Sequence, residues 1–274
     1  MILTEDNYYS LEADREYCSA SQYREFIGCP MMHGCEARAI AKLNGEYEQE
    51  TTTAMLIGSI FDALWEGLDY EGLAKRFPEC VSTRGATKGE LKFEYKKAIK
   101  MYERTVMDAV FSKYMLGEHQ TIMTGEIEGL KFKIKMDSFH PGKAIVDAKT
   151  TVNTHPNYRE YIKDSGERLP FFLAWRYDIQ LAIYREIVRQ NTGDVLPCYI
   201  AAVDKKDHPL PKVIQLENKT LDDALNEVKF NAAKIAALKN GDIEPINCNS
   251  DGCDYCRDNY VCNVISESDY EVDE

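Results

Sequence analysis

From Leu130 onward the apolar residues Leu130, Phe132, Ile134 and Met136 alternate with Lys131, Lys133, Lys135 and Asp137, the period-two pattern of a half-buried strand. Pro141-Gly142 reads as a turn. From Lys143 to Thr150 the alternation returns, with Ala144, Val146 and Ala148 on one side and Ile145, Asp147 and Lys149 on the other. The pattern predicts a hairpin in which Asp137 lies on a polar face and Asp147 and Lys149 point the same way. Helical periodicity covers residues 53–66, 172–190 and 87–116, the last with Leu91, Tyr95, Ile99, Tyr102, Val106 and Val110 on one stripe. Residues 196–207 and 212–217 predict a second hairpin, and Thr220 is the expected cap of a helix that runs to Asn240 and ends at Gly241.

Two aspartates and a lysine on a common strand face can do specific chemistry. Carboxylate oxygens suit magnesium or manganese, which lower the pKa of bound water and stabilise charge developing on a phosphate. A lysine beside them can orient the attacking water or neutralise that charge. D-x-K alone is common by chance, and a solvated hairpin face explains it as simply, so other segments must decide.

They do so by resemblance. Asp137, Asp147 and Lys149 resemble the core of the PD-(D/E)xK nuclease superfamily, in its RecB-type and RecE-type phage exonuclease branch. Gly58-Ser-Ile-Phe-Asp62 is similar to that branch's G-x-x-x-H motif, with Asp62 where the family places histidine. Gln180-Leu-Ala-Ile-Tyr184 is similar to its Q-x-x-x-Y motif, whose spacing puts both side chains on one helical face. The resemblance implies a restriction-endonuclease-like α/β fold, a mixed sheet flanked by helices, with an N-terminal helical extension and a C-terminal cysteine cluster. It implies a metal-dependent exonuclease acting at DNA ends in phage-type recombination or repair. Asp62, Asp137, Asp147 and the Ala148 carbonyl would hold Mg²⁺ or Mn²⁺, Lys149 would position the nucleophilic water, and Gln180 and Tyr184 would order the site or the DNA end. Ser21 or Arg24 would hold a terminal phosphate. Lys131, Lys133 and Lys135, on the Asp137 face, are further candidates for DNA. A single-strand annealing or recombination protein is the implied partner, and members of this group often form homo-oligomeric rings. The alternative is a nuclease-fold module that binds DNA or protein without cutting.

Nine cysteines occur without a preceding secretory apolar segment, which favours reduced thiols and metal ligation in a cytoplasmic protein over disulfides. Cys253-x2-Cys256-x5-Cys262, with Cys29-Pro30 far upstream, resembles the iron–sulfur nuclease domains of helicase–nuclease subunits and CRISPR adaptation exonucleases. The resemblance implies a [4Fe–4S] cluster on Cys29, Cys253, Cys256 and Cys262. Zinc is the alternative, and Cys248 or Cys35 could replace one ligand. Cys18, Cys80 and Cys198 read as buried thiols.

Composition changes this picture little. The 274 residues, 44% hydrophobic, suffice for a single domain over 1–262: a helical part to about 116, a catalytic core over about 117–240 and the cysteine cluster at 248–262. No run is long and apolar enough to suggest a membrane span, and no phosphate loop of an ATP motor occurs. The net charge of −13 is concentrated at the C-terminal end, where Arg257 is the only basic residue after Gly241, and 263–274 reads as an acidic tail.

Overall fold

The computed structural model describes residues 1–262 together with Val264 and Ser266, so the rest of the expected acidic tail lies outside the described residues. The chain begins with helices α1 (Leu11–Glu16) and α2 (Ala20–Ile27), the small hairpin of β1 (Gly28–Cys29) and β2 (Met32–His33), and α3 (Glu36–Asn44). Next come α4 (Thr53–Trp65), α5 (Tyr70–Arg76), α6 (Lys96–Val106) and α7 (Ala109–Met115). Strands β3 (Thr121–Ile127) and β4 (Leu130–Met136) pair as one antiparallel ribbon, and β5 (Ser138–His140) and β6 (Ala144–Thr151) form the hairpin around Pro141-Gly142. A short hairpin of β7 (Glu160–Tyr161) and β8 (Arg168–Leu169) leads to α8 (Phe171–Ala174) and α9 (Tyr177–Thr192). Strands β9 (Cys198–Asp204) and β10 (Pro211–Gln215), then α10 (Asn218–Asn240) and α11 (Asp254–Asp258), complete the order.

The central sheet runs β10-β9-β6-β5, with β6 and β9 parallel and the outer pairs antiparallel, which is the mixed sheet expected. Helices cover both faces. Ile145, Ile200 and Ala202 face a core built with α9, α10 and the β3–β4 ribbon, while Val146, Ala148, Ala201 and Val203 face a second core with α4, α6 and α7. Because β6 is enclosed on both sides, the Asp147 side is no solvated hairpin face: Asp147 is 1% exposed.

Several local expectations are corrected. The helix expected over 87–116 is broken: Gly85 and Gly89 have φ of 72° and 90°, α6 starts only at Lys96, and the Asp108 side chain restarts the chain by accepting from the Phe111 N–H at 3.1 Å. Arg176, held in left-handed geometry at φ 54°, divides the 172–190 segment into α8 and α9. Thr220 lies inside α10, whose cap position is Glu217, whereas Gly241 closes that helix at φ 77° as expected.

The β4 lysines separate by environment. Lys133 is only 1% exposed: its ammonium donates to the Tyr8 carbonyl, lies 2.7 Å from Asp14 Oδ1 and sits 4.6 Å from the Tyr8 ring centre. The N-terminal segment thus covers this face of β4 and engages the Lys133 ammonium in buried contacts. Lys131 is exposed and pairs with Glu16 at 3.5 Å. Lys135 sits 5.0 Å from the Tyr9 ring centre.

Candidate active site and cysteine centre

Asp137 occupies the bend where β4 gives way to β5, as the chain passes from the ribbon into the central sheet. The bend lets its carboxylate cross to the neighbouring strand, where Oδ2 accepts the Ala148 N–H at 2.8 Å. Asp147 projects from the same stretch of β6, and its Oδ1 accepts from Gln180 Nε2 at 2.7 Å. Gln180 Nε2 also lies 3.0 Å from the Tyr184 hydroxyl, which donates to the Lys135 carbonyl at 3.1 Å. The i, i+4 pair on α9 therefore fixes Asp147 and ties it to the end of β4. Lys149, two residues on along β6, forms an ion pair with Asp147 Oδ2 and lies 4.9 Å from the Tyr177 ring centre.

Helix α4 brings the fourth group from the opposite face. It passes β6 closely at Gly58, where a Cβ would lie 3.4 Å from Thr150 Oγ1, and one turn later Asp62 joins Asp137, Asp147 and Lys149. Burial and then Asp137 push the Asp62 carboxyl well above the usual carboxylate range, with Lys149 acting in the opposite sense. Burial and the Asp147 charge push Asp137 up to about 7, against the opposing pull of Lys149 and the Ala148 N–H. For Lys149, burial favours the neutral amine, but Asp147 and Asp137 outweigh it and hold the ammonium above its ordinary range. One lysine thus faces three crowded carboxylates. Asp147 Oδ2 is buried without a hydrogen bond of good geometry, and the donors are hard oxygens, so the site fits a small divalent cation.

These groups line a cavity of about 480 Å³ that also includes Ser21, Lys133 and Lys135. Ser21 is exposed on α2 at its rim. Arg24 is turned elsewhere: its guanidinium donates to the Trp175 carbonyl at 2.8 Å and lies over the Tyr177 ring at 5.7 Å. Sequence reasoning missed Glu66, which adds negative potential at Asp62 and Asp137, although its place four residues after Asp62 on a helix could have pointed to it. It also missed Tyr8 and Tyr9, which line the cavity from the N-terminal segment and carry no motif.

A second constellation lies apart. The Sγ atoms of Cys35, Cys248, Cys253 and Cys256 all lie within 4.8 Å of one another. Cys253 and Cys256 belong to the expected quartet; Cys29 and Cys262 are not in this group. Cys29, on β1, is instead within electrostatic reach of Tyr177, and Cys262 is exposed beyond α11. The β1–β2 hairpin is the reason for the exchange. It folds back so tightly that a Cβ on Gly34 would lie 2.4 Å from the Ile27 carbonyl carbon, and it delivers Cys35, whose N–H bonds to the Glu25 carbonyl at 2.8 Å. Cys18, Cys80 and Cys198 are buried thiols, as expected.

Residues 19–259 match the family model described as a PDDEXK-like domain of unknown function (DUF3799). Among solved structures, the chain is similar to that of a "putative exonuclease" from Eubacterium rectale, at 43% identity over 98% of both chains with a TM-score of 0.90. The structure of SSO0001, 12% identical over 69% of this chain and 80% of that one, superposes with a TM-score of 0.28, which carries no argument. No curated protein matches the chain. No helix among the described residues is long and apolar enough to cross a membrane.

Proposed function

The chain belongs to the PDDEXK-like DUF3799 family, and we propose that it is a divalent-metal-dependent exonuclease that hydrolyses phosphodiester bonds at DNA ends. The observation that carries this reading is the convergence of Asp62, Asp137, Asp147 and Lys149 from α4, the β4–β5 bend and β6 into one cavity. The Eubacterium rectale relative described as an exonuclease supports the same reaction class.

Asp62, Asp137 and Asp147, with the Ala148 carbonyl, would hold Mg²⁺ or Mn²⁺. When bound, such an ion supplies Lewis acidity toward the phosphate and an activated water. Asp147 and Asp137 favour the charged form of Lys149, which suits an electrostatic part: it would orient the nucleophile and stabilise developing charge. Gln180 holds the Asp147 carboxylate in place, and Tyr184 anchors Gln180. Ser21 and Lys135 at the cavity wall suit a terminal phosphate. The single strands left by such trimming would be substrates for an annealing protein.

The test is incubation of end-labelled linear duplex and covalently closed circular DNA with Mg²⁺ or Mn²⁺, with Asp147→Asn as the control. Loss of the linear DNA alone, dependent on both metal and Asp147, is expected. Cutting of the circle would make the protein an endonuclease. Binding without cutting either substrate would make it a nuclease-fold binding module.

A further inference from the structure

We infer that Cys35, Cys248, Cys253 and Cys256 bind a single tetrahedral metal ion, zinc, in place of the four-iron cluster that the motif resemblance implies. The separations decide between them. Cys256 Sγ lies 3.6 Å from Cys35 Sγ and 3.7 Å from Cys248 Sγ, and no pair in the group exceeds 4.8 Å. Four thiolates on one zinc at about 2.3 Å must stand about 3.8 Å apart at the corners of a tetrahedron. The thiolates of a cubane each bind a different iron and stand off roughly 6 Å from one another, farther than any pair here. All four cysteines are free thiols, so the short separations are not disulfides.

The surroundings suit a compact anionic centre. Zinc with four thiolates carries two net negative charges. The Arg38 guanidinium lies 3.6 Å from Cys253 Sγ and 3.3 Å from Glu25 Oε2, and the Arg38 backbone N–H donates to Cys35 Sγ at 3.4 Å. Among single ions that accept tetrahedral thiolates, zinc binds more tightly than ferrous iron. The centre joins Cys35, which caps α3, to the segment after α10. Through Arg38 it also reaches Glu25, which lines the catalytic cavity. The ion is therefore a staple that positions one cavity wall, at a distance from the Asp137–Asp147–Lys149 chemistry.

The test needs no nuclease assay, so it stands apart from the functional proposal. Protein purified without oxygen from cells supplied with both iron and zinc is analysed for metals and by X-ray absorption. The expected result is one zinc per chain with four sulfur neighbours at about 2.3 Å and no broad visible absorption. Cys35→Ser and Cys248→Ser should lose the zinc, while Cys29→Ser and Cys262→Ser retain it. Four irons per chain, one iron per chain, no bound metal, or loss of the metal from Cys29→Ser would each overturn the assignment. Metal content and sulfur coordination of the unmutated protein decide the matter even where a cysteine variant fails to fold.

Discussion

Replacing Lys149 with methionine keeps the length of the side chain and removes its charge, and so separates the two things that this lysine does. Its ammonium is paired with Asp147 and is the cation that offsets Asp62 and Asp137. A unit charge pair about 4 Å apart in an effective dielectric of about 20 is worth ~4 kcal/mol, and water at the open cavity reduces that further. The same cation that stabilises a phosphate transition state also repels a divalent ion in the carboxylate site. Lys149→Met is therefore expected to lose about 10²–10³-fold in rate, typical of a removed transition-state donor, and to bind Mn²⁺ roughly tenfold more tightly. Asp147→Asn should lose both rate and affinity. Single-turnover digestion of end-labelled duplex gives the first quantity, and calorimetric titration of the DNA-free protein gives the second. Lys149→Met with rate intact would remove the lysine from the chemistry. Metal affinity falling together with rate would show that Lys149 supports the shape of the carboxylate site and not the transition state.

Asp62→Asn should weaken Mg²⁺ and Mn²⁺ binding while raising the melting temperature of the metal-free protein, because it removes a carboxylate whose charged form burial and then Asp137 disfavour; an unchanged metal titration would exclude Asp62 as a ligand. Asp137, pushed up to about 7, holds its proton more tightly folded than unfolded, so it favours the metal-free fold at acid pH and loses that advantage as pH rises from about 4 through about 7. Melting temperatures in chelator should accordingly fall across this window, and Asp137→Asn should flatten the trend. The same proton competes with metal, so Mn²⁺ affinity should drop with acidification below about pH 7, checked by titration at several pH values. Lys133→Met should destabilise the fold by about 1–3 kcal/mol, because the Tyr8 carbonyl and Asp14 lose their buried partner; denaturant unfolding measures the difference.

The grouping of the candidate-site residues was partly legible because its signals are local. Alternation along β4 and β6 put Asp147 and Lys149 on one strand face, and i, i+4 spacing put Gln180 and Tyr184 on one helix face. Strand and helix geometry fix such relations whatever the chain does elsewhere. Gly241 likewise ended its helix where a glycine with positive φ was expected.

What needed the tertiary structure was every relation between distant segments and every charge whose environment another element supplies. Lys133 is patterned as a solvent-facing lysine, and only the N-terminal segment folding over β4 makes it a buried partner of Asp14. Arg24 had the reach to hold a phosphate, but α8 and α9 offer it the Trp175 carbonyl and the Tyr177 ring instead. The sequence spacing of Cys253, Cys256 and Cys262 could not say which thiols converge, because that depends on how the β1–β2 hairpin turns and where the chain returns after α10. The hairpin carries Cys35, not Cys29, to Cys248, Cys253 and Cys256. Periodicity sets the direction of a side chain relative to its own element, but what that side chain meets is set by packing between elements far apart in the chain.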